Sequence, residues 1–447
     1  MASPPDTIAA IATASGRGGI GVIRVSGPRA PEIACALVGE LPSPRQARLT
    51  RIRDRSGALL DEGIALLFPA PASYTGEHVL ELQGHGGPVV LRQVLEACLA
   101  AGARLAEPGE FTRRAFLNGR IDLAQAESVA DLIDAASAQA ARSAARSLAG
   151  DFSRHIESLV AGLTELRLHV EACIDFPEEE IDPADRRWQA GRLAQLRESL
   201  ATTMSQARQG AILRDGLTVV LAGAPNVGKS SLLNRLAGEE VAIVTPIPGT
   251  TRDHVRATIL LEGVPVHLID TAGLREAGDE VERIGIERAW EAIAQAGAVM
   301  RVDDATRPET AEPAGLVTRL PSGVPSVRVT NKIDAAGLPA GRTEADGEVC
   351  IRLSARTGEG VEALRSWLLG VAGWHPHAEG IFMARERHLT ALGEAGEALT
   401  RAADESQPFE LIAEDLRLAQ QALGRITGEV SADDLLGQIF SRFCIGK

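Results

Sequence analysis

The chain has 447 residues, with 46 Lys+Arg against 60 Asp+Glu and a formal net charge of −14, a length that allows about two to four domains and an acidic balance that argues against a general polyanion binder. The hydrophobic share of 45% excludes wholesale disorder, and no run approaches the ~18 consecutive apolar residues of a membrane span. No basic flank precedes a long apolar run at the start, and the five cysteines (35, 98, 173, 350 and 444) form no CxxC pair, so the expected setting is a reducing cytoplasm, without a disulfide framework or structural zinc.

Residues 1–120 carry 13 arginines against 11 acids, and this slightly basic stretch is the place to expect a nucleic-acid patch. Its runs Ile20–Val25, Gly63–Phe68 and His78–Leu82 predict strands, and Pro88–Ala101 predicts a helix stopped by Gly102. From Arg120 to Phe176 proline is absent and apolar residues recur at helical spacing: Phe152, Ile156, Leu159, Leu163, Leu166 and Val170. Asp175–Asp182 breaks that pattern and Arg186–Leu213 resumes it. Residues 216–373 alternate strand, loop and helix, the mark of a parallel sheet with crossover helices. After residue 373 the chain is helical again, but ~70 residues bury too little core to stand alone. The expected architecture is therefore multidomain: α/β at 1–119, a helical domain in two pieces at 120–215 and 374–447, and an α/β domain at 216–373 inserted between them.

Only three lysines occur, Lys229, Lys332 and Lys447, and the other 43 basic residues are arginines. Lysine is a slim point charge and arginine a planar fork, so a lysine that survives this bias marks a place where a guanidinium would not fit.

Two of the three fall in motifs. The predicted strand Leu217–Gly223 runs into Gly223-Ala-Pro-Asn226-Val227-Gly228-Lys229-Ser230-Ser231 and then a helix. This is GxxxxGK[ST] in strand–loop–helix context, where backbone N–H groups close on phosphates at a helix N-terminus. Lys229 would reach the β/γ-phosphates and Ser230 would hold Mg²⁺. Asp270-Thr271-Ala272-Gly273 follows the strand Val264–Ile269, a place for a carboxylate near the metal and a backbone N–H near the γ-phosphate. Asn331-Lys332-Ile333-Asp334 follows Val327–Thr330. Its Asp can accept two hydrogen bonds from guanine, which adenine cannot supply. Ser354-Ala355-Arg356 follows Val349–Leu353 and caps the base. Together these choose GTP over ATP. The residue after the DTAG run is Leu274, which cannot orient a water. The acids Glu276, Asp279, Glu280 and Glu282 are the nearby candidates.

In this order the motifs resemble a Ras-like P-loop GTPase domain of the translation-factor-related class, with Pro248–Asp253 as its switch I and Thr251 as a second Mg²⁺ ligand. End to end, the chain resembles the MnmE (TrmE) family of tRNA-modification GTPases. That likeness rests on Gly16-Arg-Gly-Gly19, Glu81-Leu-Gln-Gly-His85-Gly-Gly, Pro108-Gly-Glu-Phe-Thr112, Arg114-Ala-Phe-Leu-Asn118, Asp122-Leu-Ala-Gln-Ala-Glu127 and the ending Phe443-Cys-Ile-Gly-Lys447.

The resemblance implies a fold and a function. The N-terminal domain would dimerise and bind 5-formyl-tetrahydrofolate or a related folate, with Arg24, Glu81, Arg120 and Lys447 at the folate-contact positions and Cys444 as a reactive thiol beside it. The homodimer would work with a FAD-dependent partner of the MnmG (GidA) type, in a heterotetramer or larger assembly. Together they would add a (carboxymethyl)aminomethyl group to C5 of the wobble uridine in certain tRNAs. FAD enters only through the partner, and no membrane is involved. For hydrolysis, the resemblance implies face-to-face pairing of two G domains, a K⁺ ion held by Asn226, Thr245, Ile247 and Thr250, and Glu282 as the water-orienting acid. A ribosome-assembly or RNA-chaperone GTPase without base chemistry is the alternative, and a folate-binding protein with a regulatory G domain is a third reading. The first of these usually carries a basic RNA-binding module, which an acidic chain does not suggest.

Overall fold

The structure, a computed structural model, describes residues 6–175, 183–238, 255–270, 296–307, 323–345, 348–375, 380–404, 406–429, 433–441, 443 and 446. It divides into two compact units, Met1–Ala130 with Gln420–Lys447, and Asp131–Ala419.

The first unit is built on a six-stranded sheet: β1 (Ile8–Ile11), β2 (Gly21–Ser26), β3 (Arg48–Arg53), β4 (Leu59–Phe68), β5 (Val79–Gly84) and β6 (Arg104–Leu105), in the order β3-β4-β5-β2-β1-β6. All neighbours are antiparallel except β1 and β6. Alternation sorts the side chains. Ile23 and Val25 of β2 and Leu80 and Leu82 of β5 are buried with residues of α1 (Ala30–Val38) and α2 (Pro88–Ala100). Pro88 opens α2, where a missing N–H costs nothing, and Leu91, Val94, Ala97 and Cys98 make its buried stripe. The intervening residues Arg24 and Glu81 face the other side, where α3 (Glu110–Leu117) brings Phe111. The chain's last helix, Asp433–Ser441, adds Ile439 and Phe440 to a cluster with Phe443, Leu123 and Ala126.

The second unit joins helices to a second sheet. The helices α5 (Ala138–Leu148), α6 (Asp151–Asp175) and α7 (Pro183–Asp215) follow α4 (Leu123–Ile133). The stripe expected on α6 is the one buried, from Phe152 to Val170. A later helix, Glu386–Ala402, packs along α7 and buries Ala391, Leu392, Ala395 and Leu399. Phe152 stacks on Phe382 with ring centroids 4.5 Å apart, so segments far apart in sequence share one core.

Among the described residues the sheet of this unit has seven strands: β7 (Leu217–Ala222), β8 (Val255–Leu261), β9 (Val264–Asp270), β10 (Ala298–Asp304), β11 (Ser326–Asn331), β12 (Gly341–Ala345) and β13 (Glu348–Arg352). Their order is β12-β13-β11-β10-β7-β9-β8. The five central strands run parallel, and β8 and β12 close the edges antiparallel. Val219–Ala222 of β7 is buried without a break, as a central parallel strand covered on both faces requires. The helices α8 (Lys229–Ala237) and α10 (Val361–Ala372) stand in the same layered unit, with the single turn α9 (Ile333–Ala336) between them in sequence. The two later helices already described are α11 (Glu386–Ala402) and, after α12 (Phe409–Thr427), α13 (Asp433–Ser441).

Phe152 has no exposed surface, so Phe152→Ala should cost ~3–5 kcal/mol of unfolding free energy. Denaturant titration followed by circular dichroism checks this, and an unshifted midpoint would mean that the early and late helices do not share a core.

Candidate functional site: a nucleotide cradle and a polar aromatic site

The P-loop sits where β7 hands over to α8. Gly228 has φ +97°, and a Cβ there would lie 2.4 Å from the Asn331 Nδ2, so both conformation and space require glycine. Asn226 is also left-handed, φ +66°, a conformation asparagine tolerates. The Lys229 ammonium is nearly buried and donates to the carbonyls of Gly223 at 2.6 Å and Ala224 at 3.2 Å. It is folded over the loop whose N–H groups would meet a phosphate chain. Ser230 and Ser231 open α8 beside it.

The loops after β11 and β13 are fastened to this loop chiefly by the buried Asn331, with Lys332 beside it. Asn331 is 1% exposed. Its Nδ2 donates to the Val227 carbonyl at 2.9 Å, and its Oδ1 accepts from the N–H of Lys332 at 2.8 Å and of Ala355 at 3.0 Å. Asp334 accepts from the Ser354 hydroxyl at 2.6 Å and pairs with Arg356 at 2.5 Å. The Ser354 hydrogen bond and the Arg356 charge hold the Asp334 carboxyl below its ordinary pKa, so it stays an acceptor at neutral pH. The Arg356 side chain is 79% exposed, and such a surface pair yields readily to a ligand. From α8, Arg235 donates to the Ala355 carbonyl at 2.9 Å.

Asp304, at the end of β10, was not legible as a site residue. It accepts from the Lys332 ammonium at 2.7 Å and from the Thr306 hydroxyl at 2.6 Å and N–H at 2.9 Å. Lys332 also donates to the Asn226 carbonyl at 2.7 Å. Burial pushes the Asp304 carboxyl up, but these donors outweigh it and bring it down to about 2. The only signal in the sequence was a carboxylate at a strand end, which many solvated residues share.

Of the expected nucleotide residues, Asn226, Val227, Gly228, Lys229, Ser230, Ser231, Asn331, Lys332, Asp334, Ser354, Ala355 and Arg356 come together here. Asp270 ends β9, paired with Leu221 of β7. Thr245, Ile247, Thr250, Thr251, Thr271, Ala272, Gly273 and Glu282 lie outside the described residues. Among the described residues no group of three or more His, Cys, Asp or Glu forms a metal cluster. The donors present fit a nucleoside triphosphate, whose own oxygens would complete the set around a cation at Ser230.

The first unit holds a second arrangement. Arg24 and Glu81 are register partners across β2 and β5. Their side chains pair twice, at 3.0 and 2.9 Å, and Gln83 donates to Glu81 at 3.3 Å. The Arg24 guanidinium lies 5.4 Å from the Tyr74 ring centroid and 5.9 Å from that of Phe111. Burial raises the pKa of the Tyr74 hydroxyl, which is hydrogen-bonded to Thr112 at 2.8 Å. A carboxylate with spare acceptor capacity against aromatic faces suits a flat heterocycle with an amidine-like edge. Arg120 is exposed, and its Cγ would lie 3.3 Å from a Cβ on Gly76, beside the Tyr74 loop. Cys444 and Lys447 lie outside the described residues, but Gly446 packs against the carbonyl of Ile11, next to the β1 residue Ala10 that pairs with Arg24. Tyr74 and Phe111 were missed as site residues, because a lone aromatic in a loop or helix reads as packing.

The family model described as the MnmE helical domain matches residues 123–444, and the one described as the GTP-binding protein TrmE N-terminus matches residues 7–120. The tRNA modification GTPase MnmE of Azoarcus sp. (strain BH72) is 60% identical over 445 residues, covering 99% of this chain and 98% of the relative. That of Thiobacillus denitrificans (strain ATCC 25259 / T1) is 59% identical over 451 residues, covering all of both chains. Among solved structures, the G domain of the T. maritima FeoB iron transporter is 26% identical with a TM-score of 0.26, covering 35% of this chain and 98% of that one.

Asp304→Asn removes the charge that holds Lys332 while keeping a similar shape. Weakening a charged hydrogen bond at a half-exposed lysine should weaken GDP binding about tenfold and leave kcat at saturating GTP unchanged. Calorimetric titration with GDP checks it, and an unchanged Kd would remove Asp304 from the site.

Proposed function

The chain belongs to the MnmE family of tRNA modification GTPases, and from that premise we propose that it is a K⁺-stimulated GTPase acting on the wobble uridine of certain tRNAs. It works in the cytoplasm as a homodimer, with a FAD-dependent partner of the MnmG (GidA) type in a heterotetramer or larger assembly. The product carries a (carboxymethyl)aminomethyl group on C5. The observation that carries this reading is the presence in one chain of a guanine-selecting cradle and a separate Arg24–Glu81 site with aromatic walls.

Each half supports a distinct part. Asp334, aimed by Ser354, matches the N–H pair on guanine, and Lys229 and the α8 N-terminus favour its phosphates. Mg²⁺ would be held by Ser230 and Thr251. Asn226 with Thr245, Ile247 and Thr250 offers oxygen donors suited to K⁺, which would supply positive charge where charge develops on the phosphates. Glu282 takes the water-orienting role that Leu274 cannot fill.

The second site suits 5-formyl-tetrahydrofolate or a close relative. Glu81 accepts from the amidine-like edge of the pterin, Tyr74 and Phe111 flank it, and Arg24, Arg120 and Lys447 offer cations to its carboxylates. The folate supplies the one-carbon unit and the partner's FAD the redox step, with ammonium or glycine as nitrogen source. Cys444 takes the role of a reactive thiol in the folate chemistry, as the family likeness implies, and Cys444→Ser is its control in a modification assay. Hydrolysis itself alkylates nothing. Its role is to open and close paired G domains and so gate the uridine chemistry.

GTP turnover should rise with K⁺ but not with Na⁺ at equal ionic strength, and rise per molecule with protein concentration. Asn226→Ala should lose the K⁺ response, and Glu282→Ala should lose turnover in either salt. Equal rates in KCl and NaCl would sink the ion's role.

A further inference from the structure

The strands β8 and β9 form one hairpin with unusual end points. At one end, β8 begins at Val255, one residue beyond the sequence segment Pro248–Asp253, and β9 ends at Asp270, the first residue of the sequence Asp270-Thr-Ala-Gly273. Both segments, read from the sequence as nucleotide contacts, are thus joined along the chain to the two strands of a single ribbon. At the other end Leu261 pairs with Val264, and the two-residue turn Glu262–Gly263 has φ +50° and +83°, the left-handed pair that matches strand twist and makes a stiff hairpin.

That turn is gripped by the helices. The Ser137 hydroxyl accepts from the Ala140 N–H at 3.1 Å, capping α5, and donates to the Gly263 carbonyl at 2.8 Å. A Cβ on Gly263 would lie 2.7 Å from the Gln139 Oε1 and 3.5 Å from the Ser137 Oγ, so the turn sits close against the start of α5. Val264 is buried with Leu213 of α7, Trp374 and Ile381. His267, bonded across the ribbon to Thr258 at 3.0 Å, also reaches the Asp215 carbonyl at the end of α7 at 3.2 Å. Beyond Ser137, α5 is fastened to the chain around Phe382: the Met383 N–H donates to Ser147 at 2.7 Å, and Ala140 and Ala144 pack on Met383.

We propose that the β8–β9 hairpin is the lever that couples the nucleotide site to the helical bundle, and that Ser137 is its positioning residue. The proposal deepens the gating role stated above and rests on it. A displacement of either strand at its Val255 or Asp270 end pulls on a ribbon whose far end is bonded to the hydroxyl that caps α5. The hairpin cannot shift along its axis without breaking that bond, so α5 follows it, and with α5 the Phe382–Phe152 core.

Two substitutions separate coupling from capping. Ser137→Asp keeps an excellent N-cap acceptor, but an ionised carboxylate cannot donate to Gly263. Ser137→Asn keeps both an acceptor and a donor. In the full-length protein, amide hydrogen exchange of α5 is compared with GDP and with the non-hydrolysable analogue GppNHp in KCl. GTP hydrolysis is measured beside it, and tRNA modification with the flavoprotein partner. The wild type and Ser137→Asn should show a nucleotide-dependent change in α5 exchange. Ser137→Asp should lose that change and lose modification about tenfold, the scale of a typical coupling energy, while hydrolysing GTP at the wild-type rate. The proposal is overturned if Ser137→Asp keeps the α5 response, or if it loses hydrolysis in step with modification. A wild type whose α5 responds to nucleotide but which leaves tRNA unmodified would support the lever and refute the functional reading on which its purpose rests.

Discussion

The buried amide of Asn331 is the contact on which the nucleotide site depends. It holds the P-loop through Val227, the start of its own loop through Lys332, and the Ser354–Arg356 loop through Ala355. Phosphate recognition and base recognition are chemically separate tasks. Their loops share one geometry here because a planar amide that donates once and accepts twice spans all three, with the Lys332–Asn226 bond beside it. Buried polar groups are expensive unless satisfied, and that cost is what makes the arrangement specific. Gly228 completes the constraint, since any side chain there would collide with the same amide.

The lysines gain a physical reading from this. Lys332 threads between the Asn226 carbonyl and the Asp304 carboxylate, donating 2.7 Å bonds to both, and Lys229 folds onto the loop carbonyls. In both places a single ammonium point charge is shared between two oxygen acceptors, a task for which a planar guanidinium fork has a different shape. Arginine serves elsewhere, in paired or exposed positions: Arg114 bonds Glu110 at 2.8 Å and Glu77 at 3.1 Å, and burial of the Glu110 carboxyl is outweighed by Arg104 and Arg114, which keep its pKa low.

The nucleotide loops were legible because their chemistry is local. A glycine-rich turn between a buried strand and a helix is a single stretch of chain, and Asn331–Asp334 follows its strand directly. The helical stripe from Phe152 to Val170 was legible for the same reason, since its period lies within one element. What escaped was tertiary. Asp304 matters only because β10 lies between β7 and β11. Tyr74 and Phe111 gain meaning only from the pairing of Arg24 with Glu81, and Ser137 only because a turn 126 residues later folds back onto it. The strands β1 and β3 also went unread. β1 is four residues long and β3 carries three arginines in six positions, so neither offers the apolar alternation on which a strand is recognised.

The Asn331 amide ties the loop before α8 to the loops after β11 and β13. Asn331→Asp tests it most directly, because it keeps the shape and the acceptor but turns the Nδ2 donor into an oxygen facing the Val227 carbonyl. With the fold verified by circular dichroism, calorimetric titration should give GDP binding weaker by about one to two orders of magnitude, the expected cost of an orphaned buried carbonyl with charge against it. GDP affinity equal to that of the wild type would contradict the account.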